Sequence, residues 1–186
     1  MGIEIEKKYR LTREQQARLL LRLAEVKATP HGKEFEENTL YSGGTLDPQT
    51  EVLRVRRKGD GAVLTYKRRF ASSSSIKHNR EEETAVENPE ALAGILDALG
   101  YRPALVYEKR RATWQVGEAE VVLDELPFGL YLEIEGDEQM IMEVEQLLGL
   151  ADVEAELSTY PELARLYGEQ RGDLIKARFQ MRLPQS

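Results

Sequence analysis

Acidic side chains recur at alternate positions in several segments that have the composition of β-strands. They are Glu4 and Glu6, Glu81 and Glu83, Asp124, and Glu133 and Glu135. Successive side chains of a strand point to opposite faces, so the members of each pair share one face. Carboxylates that are brought together stay ionised only where a cation lies among them. Oxygen ligands without His or Cys suit a hard ion, so these acids predict a Mg²⁺ or Mn²⁺ site.

Basic side chains show the same alternation in the segments between the acidic ones. They are Arg54, Arg56 and Lys58, then Lys67 and Arg69, then Lys109 and Arg111. Cations gathered on one surface indicate a polyanionic ligand, and a guanidinium group matches two phosphate oxygens at once. If the acidic and basic faces meet, the pattern predicts a site for a divalent metal and a polyphosphate. The alternative interpretation is an antiparallel sheet whose polar face is solvated.

The composition excludes several other classes of protein. The chain has 186 residues, a formal net charge of −7 and no cysteine. Its length suits one domain, and its negative charge disfavours a nucleic-acid partner. The lack of cysteine excludes disulfides, thiolate metal sites and cysteine nucleophiles. No apolar run approaches the roughly 20 residues of a membrane span, so we expect a cytoplasmic protein with no membrane partner.

The elements that must position these side chains alternate between strand pairs and helices, which predicts an α+β fold. A helix follows Thr12, which forms a capping box with Gln15. A hairpin turns at residues 58–61, and further strands are predicted near 33–42, 77–86, 103–116, 119–125 and 130–136. Helices begin after Asn88 and Asp137, residues 72–75 form a polar loop, and the tail from about 158 is predicted to be helical.

The order of these segments resembles a known family. Residues 4–8 (EIEKK) match the E-x-E-x-K signature of the CYTH family, also called triphosphate tunnel metalloenzymes. Further segments follow in the order of that family: LRVR (53–56), LTYK (64–67), EKRR (108–111), VLDELPFG (122–129) and YLEIEG (131–136). Members of the family include thiamine, inorganic and RNA triphosphatases and class IV adenylyl cyclases.

The resemblance implies an α+β domain over residues 1–186, with an eight-stranded antiparallel closed β-barrel, helices packed outside and the helical tail packed on it. It also implies roles for residues that line the barrel. The implied metal ligands are Glu4, Glu6, Asp124, Glu133 and Glu135. The implied triphosphate-binding residues are Lys8, Arg54, Arg56, Lys67, Lys109 and Arg111. The residues implied to act in catalysis are Glu4, Glu6, Lys8, Glu81 and Glu83.

In three segments the sequence does not decide which side chains line the barrel. Members of the family usually carry an Arg where this chain has Asn79, so the strand can present either Glu81 and Glu83 or Arg80 and Glu82 to the interior. Glu36 and Glu37 can each join the acidic lining or face water. Residues 158–160 (STY) resemble the family's C-terminal Ser-Tyr motif with an inserted threonine.

The function implied by the resemblance is metal-dependent hydrolysis of a triphosphate, which is inorganic tripolyphosphate, a nucleoside triphosphate or thiamine triphosphate. One alternative is the formation of cyclic AMP from ATP. It is less favoured because class IV cyclases carry a His-Phe pair before the first strand, where this sequence has Met1 and Gly2. The other alternative is a non-catalytic polyphosphate-binding module. We expect a monomer or homodimer with a small-molecule substrate.

Overall fold

The computed structural model of the protein describes residues 2–70 and 76–180, without the side chains of residues 2–4 and 77. The predicted loop at 72–75 therefore lies outside the described residues. Within them, the first half of the chain contains β1 (Gly2–Leu11), α1 (Arg13–Glu25), β2 (Thr29–Gly43), β3 (Glu51–Lys58), β4 (Gly61–Arg69), β5 (Ile76–Val86) and α2 (Pro89–Ala98). The second half contains β6 (Tyr101–Val116), β7 (Ala119–Leu126), β8 (Gly129–Glu135), α3 (Glu138–Leu148), α4 (Tyr160–Tyr167), β9 (Glu169–Arg171) and β10 (Leu174–Ala177).

Strands β1–β8 form a closed antiparallel barrel, as predicted. Their order is β2-β3-β4-β5-β1-β8-β7-β6, and pairing of β2 with β6 closes the ring. Closure gives every strand of the ring two neighbours, so none of these eight strands is an edge strand. It also turns one face of every strand toward a common interior, so the polar faces of the strands meet.

The outer face of the barrel carries much of the apolar core. Outward-facing Tyr9, Leu132 and Ile134 pack with Leu23 of α1 and Ile141 of α3 in one buried cluster. Thr12 caps α1 by accepting a hydrogen bond from the backbone of Gln15, whose side chain accepts from the backbone of Thr12, as predicted. Among the described residues, no helix is long and apolar enough to cross a bilayer.

The chain after Tyr160 departs from the predicted helical tail. Helix α4 begins after Thr159, whose capping box with Glu162 is present, but it extends only to Tyr167. The prediction is wrong beyond that point, because β9 and β10 form an antiparallel pair and β10 adds to β6 in parallel. Gly168 ends the helix where β10 approaches closely. A Cβ there would lie 2.4 Å from the carbonyl oxygen of Ala164 and 2.8 Å from the side chain of Ile175.

Candidate functional site

The interior of the barrel contains a charged cavity of about 520 Å³. Charged side chains from seven of the barrel strands line it: Glu6, Lys8, Arg54, Arg56, Lys67, Arg69, Glu81, Glu83, Lys109, Arg111, Glu120, Glu133 and Glu135. The acidic and basic faces identified in the sequence therefore do meet. The alternative of a polar face open to solvent is wrong for these strands.

One wall of the cavity is formed by β3, β4 and β5. Lys67 Nζ lies 2.9 Å from Glu81 Oε2, and Arg56 Nη2 donates a hydrogen bond of 2.8 Å to Glu83 Oε1. Thr65 Oγ1 donates to the same oxygen of Glu83 at 2.6 Å. Burial raises the pKa of Glu83, but the Thr65 hydrogen bond and Arg56 outweigh it and hold the pKa below its usual value. Glu83 is therefore held as a carboxylate.

The register of β5 decides which of its side chains face inward. Backbone pairing aligns Lys67 with Glu81 and Arg69 with Asn79. Asn79 is buried and lines the cavity together with Glu81. Arg80 and Glu82 form an exposed ion pair at 3.1 Å on the outer face. Of the two alternatives, the structure places Glu81 and Glu83 inside.

The opposite wall is built around Arg111 of β6. Its Nε donates to Asp124 Oδ1 at 2.9 Å, while Nη2 donates to Asp124 Oδ2 at 2.7 Å and to Glu133 Oε2 at 2.8 Å. Asp124 is fully buried. Burial raises its pKa, but Arg111 and Lys109 more than offset this effect, so the pKa of Asp124 lies below its usual value. Both Asp124 oxygens are therefore engaged by the side chains of Arg111 and Lys109.

Glu36 of β2 is also fully buried and connects the two walls. Its carboxylate lies 3.3 Å from Lys109 Nζ and 3.7 Å from Arg56 Nη1. Burial raises the pKa of Glu36, but Lys109, Arg111 and Arg56 together hold it below its usual value. Glu36 thus completes a sequence of contacts between opposite charges, here called the ion chain: Arg56, Glu36, Lys109, Asp124, Arg111, Glu133 and Lys8.

Three carboxylates could hold a metal, and one of them, Glu133, also belongs to the ion chain. Glu6, Glu133 and Glu135 each offer one oxygen, and these oxygens lie within 4.8 Å of one another. An oxygen-only set of this kind fits Mg²⁺ or Mn²⁺. Asp124 is not a member of this group, although it was implied as a ligand. The side chain of Glu4 lies outside the described part of the structure.

Tyr160, the first residue of α4, lines the same cavity. Lys8 Nζ lies 4.0 Å from the centre of its ring and donates a hydrogen bond of 3.1 Å to the carbonyl of Ser158. The Tyr160 ring also packs edge-on against Tyr131 at 5.4 Å. Burial, followed by the negative charges of Asp124 and Glu133, raises the pKa of Tyr160 well above its usual value. Tyr160 is therefore a neutral phenol that packs over an inward-facing lysine.

Sequence reasoning did not assign three residues that take part in this arrangement. Glu36 was left undecided, Tyr160 was noted only through its resemblance to a C-terminal motif, and His78 was not among the predicted site residues. His78 lines the cavity, and its Nε2 lies 2.9 Å from Glu138 Oε1 at the start of α3. The position of Glu36 had a signal in the sequence, because it shares one strand face with Leu40. The structure shows Glu36, Asn38 and Leu40 all buried on that face of β2. The contact between His78 and Glu138 had no signal in the sequence.

Comparison with known proteins agrees with this arrangement. The sequence matches the model of the CYTH domain family over residues 2–166. The fold is similar to that of the PH1012 protein from Pyrococcus horikoshii OT3, with a TM-score of 0.75 and 25% identity over 86% of this chain and 98% of that chain. The PH1819 protein from the same organism gives a TM-score of 0.68 and 25% identity, over 86% of this chain and 97% of that chain.

A more distant structure shares the fold alone. It is HpAC1 from Hippeastrum, described as an adenylyl cyclase candidate with a dominant triphosphatase activity. Its TM-score is 0.69 at 18% identity, over 89% of this chain and 96% of that chain. No curated protein matches the sequence significantly. Because the family match spans residues 2–166 and the barrel is closed around a charged interior, the chain belongs to the CYTH domain family.

Proposed function

We propose that the protein hydrolyses a triphosphate in the presence of Mg²⁺ or Mn²⁺. The observation that carries this proposal is the position of the three carboxylates. Glu6, Glu133 and Glu135 converge within 4.8 Å in a cavity that basic side chains also line. A site for an anion alone would gain nothing from converging acids, because they repel a phosphate. A divalent ion held by these acids would offset that repulsion, which would account for the two sets sharing one cavity.

A second observation supports a bound anion. The Nε groups of Arg54 and Arg56 are buried, yet neither has a hydrogen-bond partner among the described residues. Both side chains line the cavity. A buried polar group without a partner costs about 1–3 kcal/mol, and more if it is charged. Phosphate oxygens are strong acceptors for guanidinium groups, and these two arginines carry donors that the described part of the fold leaves unused.

In the proposed reaction, the chain contributes mainly position and charge. Arg54, Arg56 and Lys67 would hold phosphate oxygens on one wall, while Lys109 and Arg111 would hold them on the other. Preorganised cations stabilise the charge that develops as the terminal phosphoryl group is transferred, and they need little rearrangement to do so. A divalent ion held by Glu6, Glu133 and Glu135, and by Glu4 as the resemblance implies, would supply Lewis-acid activation of the phosphate.

Two further roles are the positioning of the attacking water and the binding of the phosphate that lies at one end of the cavity. We propose that Glu81 and Glu83 orient the attacking water or accept its proton, since both face the cavity. The low pKa of Glu83 makes it a weak base, so orientation suits it better. Lys8 is held by Glu133, by Ser158 and by the Tyr160 ring, and it would bind a phosphate oxygen at the end of the cavity that α4 covers.

A substrate panel tests the proposal. Purified protein should be incubated with tripolyphosphate, ATP, GTP and thiamine triphosphate, each with Mg²⁺ or Mn²⁺. We expect phosphate release from at least one of them and no cyclic AMP from ATP. Cyclic AMP with pyrophosphate would instead indicate the cyclase alternative, and binding without any turnover would indicate a polyphosphate-binding module.

A further inference from the structure

Glu36 differs from the other acidic residues of the interior in its position. It is 0% exposed, and it is not among the residues that line the cavity, whereas its neighbours Arg56 and Lys109 do line it. The carboxylate therefore lies behind two of the cations that the proposed function assigns to the phosphates. It cannot contact a ligand in the cavity directly, but its charge acts on the side chains that do.

The contacts of Glu36 are electrostatic rather than tightly hydrogen-bonded. Its distances of 3.3 Å to Lys109 and 3.7 Å to Arg56 are longer than the 2.7 Å and 2.9 Å contacts between Arg111 and Asp124. Its Oε1 atom has no hydrogen-bond partner among the described residues. Its Oε2 atom lies 3.3 Å from Lys109 Nζ and accepts a long hydrogen bond of 3.4 Å from Asn38 Nδ2. Glu36 thus neutralises Arg56 and Lys109 without fixing either of them in a two-point pair.

We propose that Glu36 is a positioning residue. Its buried carboxylate is a counter-anion for Arg56 and Lys109, and it thereby weakens the binding of polyphosphate. This inference rests on the proposed function, because it concerns the same cavity. When a phosphate chain binds, Arg56 and Lys109 must be shared between it and the Glu36 carboxylate. The repulsion between Glu36 and the ligand rises with the charge of the ligand. The consequence is faster release of anionic products from a cavity that is otherwise rich in cations.

A purely structural role for Glu36 predicts a different result. If its carboxylate only kept Arg56 and Lys109 in place, removing its charge would loosen both side chains. Binding of the anion would then weaken or stay unchanged. The direction of the change in affinity therefore separates the two roles, whatever happens to the stability of the protein.

The test measures equilibrium binding, not turnover. Dissociation constants for tripolyphosphate and orthophosphate are determined by calorimetry in a buffer without divalent ions, for wild type and E36Q. We expect E36Q to bind tripolyphosphate at least ten-fold more tightly, and the gain for orthophosphate to be smaller. In the enzyme loaded with metal, the same variant should show stronger inhibition by product and a lower KM together with a lower kcat.

Two further variants make the test specific. Glu108, the residue before Lys109, is also buried but faces outward, where it accepts a hydrogen bond of 3.0 Å from Arg178. E108Q makes the same change in net charge on the other face and should leave the affinity unchanged within two-fold. E36D keeps the negative charge on a side chain that is one methylene group shorter. Its affinity for tripolyphosphate should therefore lie between those of wild type and E36Q. This variant decides the question if E36Q does not fold.

The outcomes distinguish this inference from the proposed function. If wild type binds tripolyphosphate and neither E36Q nor E36D binds it more tightly, the role of Glu36 is refuted while the function stands. Equal tightening in E36Q and E108Q would also refute it, because the effect would then reflect net charge. If neither wild type nor E36Q binds tripolyphosphate, this inference is refuted, and the substrate panel with metal tests the proposed function separately.

Discussion

Arg111 and Asp124 form a two-point ion pair inside the barrel, with Nε 2.9 Å from Oδ1 and Nη2 2.7 Å from Oδ2. Backbone register places the two residues directly opposite each other on β6 and β7. The pair also binds its neighbours, because Asp124 contacts Lys109 and Arg111 contacts Glu133. A buried pair of this kind is costly to break from one side, since the remaining charge is left without compensation.

Asp124→Asn should therefore destabilise the protein strongly. The cost of removing one partner of a buried pair is about 3–5 kcal/mol. The matched control is Glu125→Gln, one residue along, where a more exposed carboxylate pairs with Arg13 and Arg110 on the outer face. That change should cost less than about 1 kcal/mol. Urea unfolding of the three proteins checks the prediction, and similar values for both variants would contradict it.

The contribution of Asp124 to stability should depend on pH in a defined direction. Its folded-state pKa is lowered, because Arg111 and Lys109 outweigh the effect of burial. A lowered pKa contributes stability that is fully present above the unfolded value of about 3.9 and is lost as pH falls toward the folded value. The difference in unfolding free energy between wild type and Asp124→Asn should be constant above about pH 5 and shrink below about pH 4. Urea unfolding at pH 7, 5, 4 and 3 measures it, and a difference that grows at low pH would refute the sign.

Adjacent residues of β3 provide a paired test of ligand binding. Arg56 faces the cavity, whereas Arg57 faces outward and donates a hydrogen bond of 2.9 Å to Glu90. Arg56→Ala should weaken tripolyphosphate binding by about ten-fold or more, the value of one charge-assisted hydrogen bond. Arg57→Ala removes the same charge and should change the affinity little. Equal losses in both variants, measured by calorimetry, would show that only overall charge matters.

The sequence predicted the strands of the barrel because their inward and outward faces differ so clearly in composition. Leu53 and Val55 alternate with Arg54 and Arg56, and residues 58–61 contain the turn signal of a hairpin. Alternation alone could not tell whether the polar faces met, since an open sheet has the same pattern. The closure of β2 onto β6 decides that question, and it depends on contacts between residues far apart in the sequence.

Other features depended on register or packing that the sequence does not encode locally. Consecutive acids at 81–83 are consistent with either face of β5 turned inward, and pairing with β4 selects Glu81. Glu36 and Glu37 are likewise adjacent and chemically alike, yet Glu36 contacts Lys109 while Glu37 pairs with Arg178. The end of α4 could not be predicted either. It requires the close approach of β10 at Gly168, which is a tertiary contact.

The cluster of three carboxylates, Glu6, Glu133 and Glu135, predicts that the protein binds a divalent metal with measurable affinity. Glu135→Gln should raise the dissociation constant for Mn²⁺ by about ten-fold or more, because even partners outside the first coordination shell typically contribute that much. Glu138→Gln, at the exposed start of α3, is the control, since Glu138 contacts His78 instead of the group. Electron paramagnetic resonance of free Mn²⁺ measures the binding without any substrate. Unchanged affinity in Glu135→Gln would exclude this residue as a ligand.

The proposed hydrolysis is followed directly by ³¹P NMR of the wild-type protein with tripolyphosphate, ATP, GTP and thiamine triphosphate. With Mg²⁺ or Mn²⁺ we predict that the terminal phosphate signal of at least one substrate decays while orthophosphate appears. Addition of a chelator should stop the decay, and Arg56→Ala should slow it far more than Arg57→Ala. Spectra that stay unchanged for all four substrates with both metals would contradict the central claim.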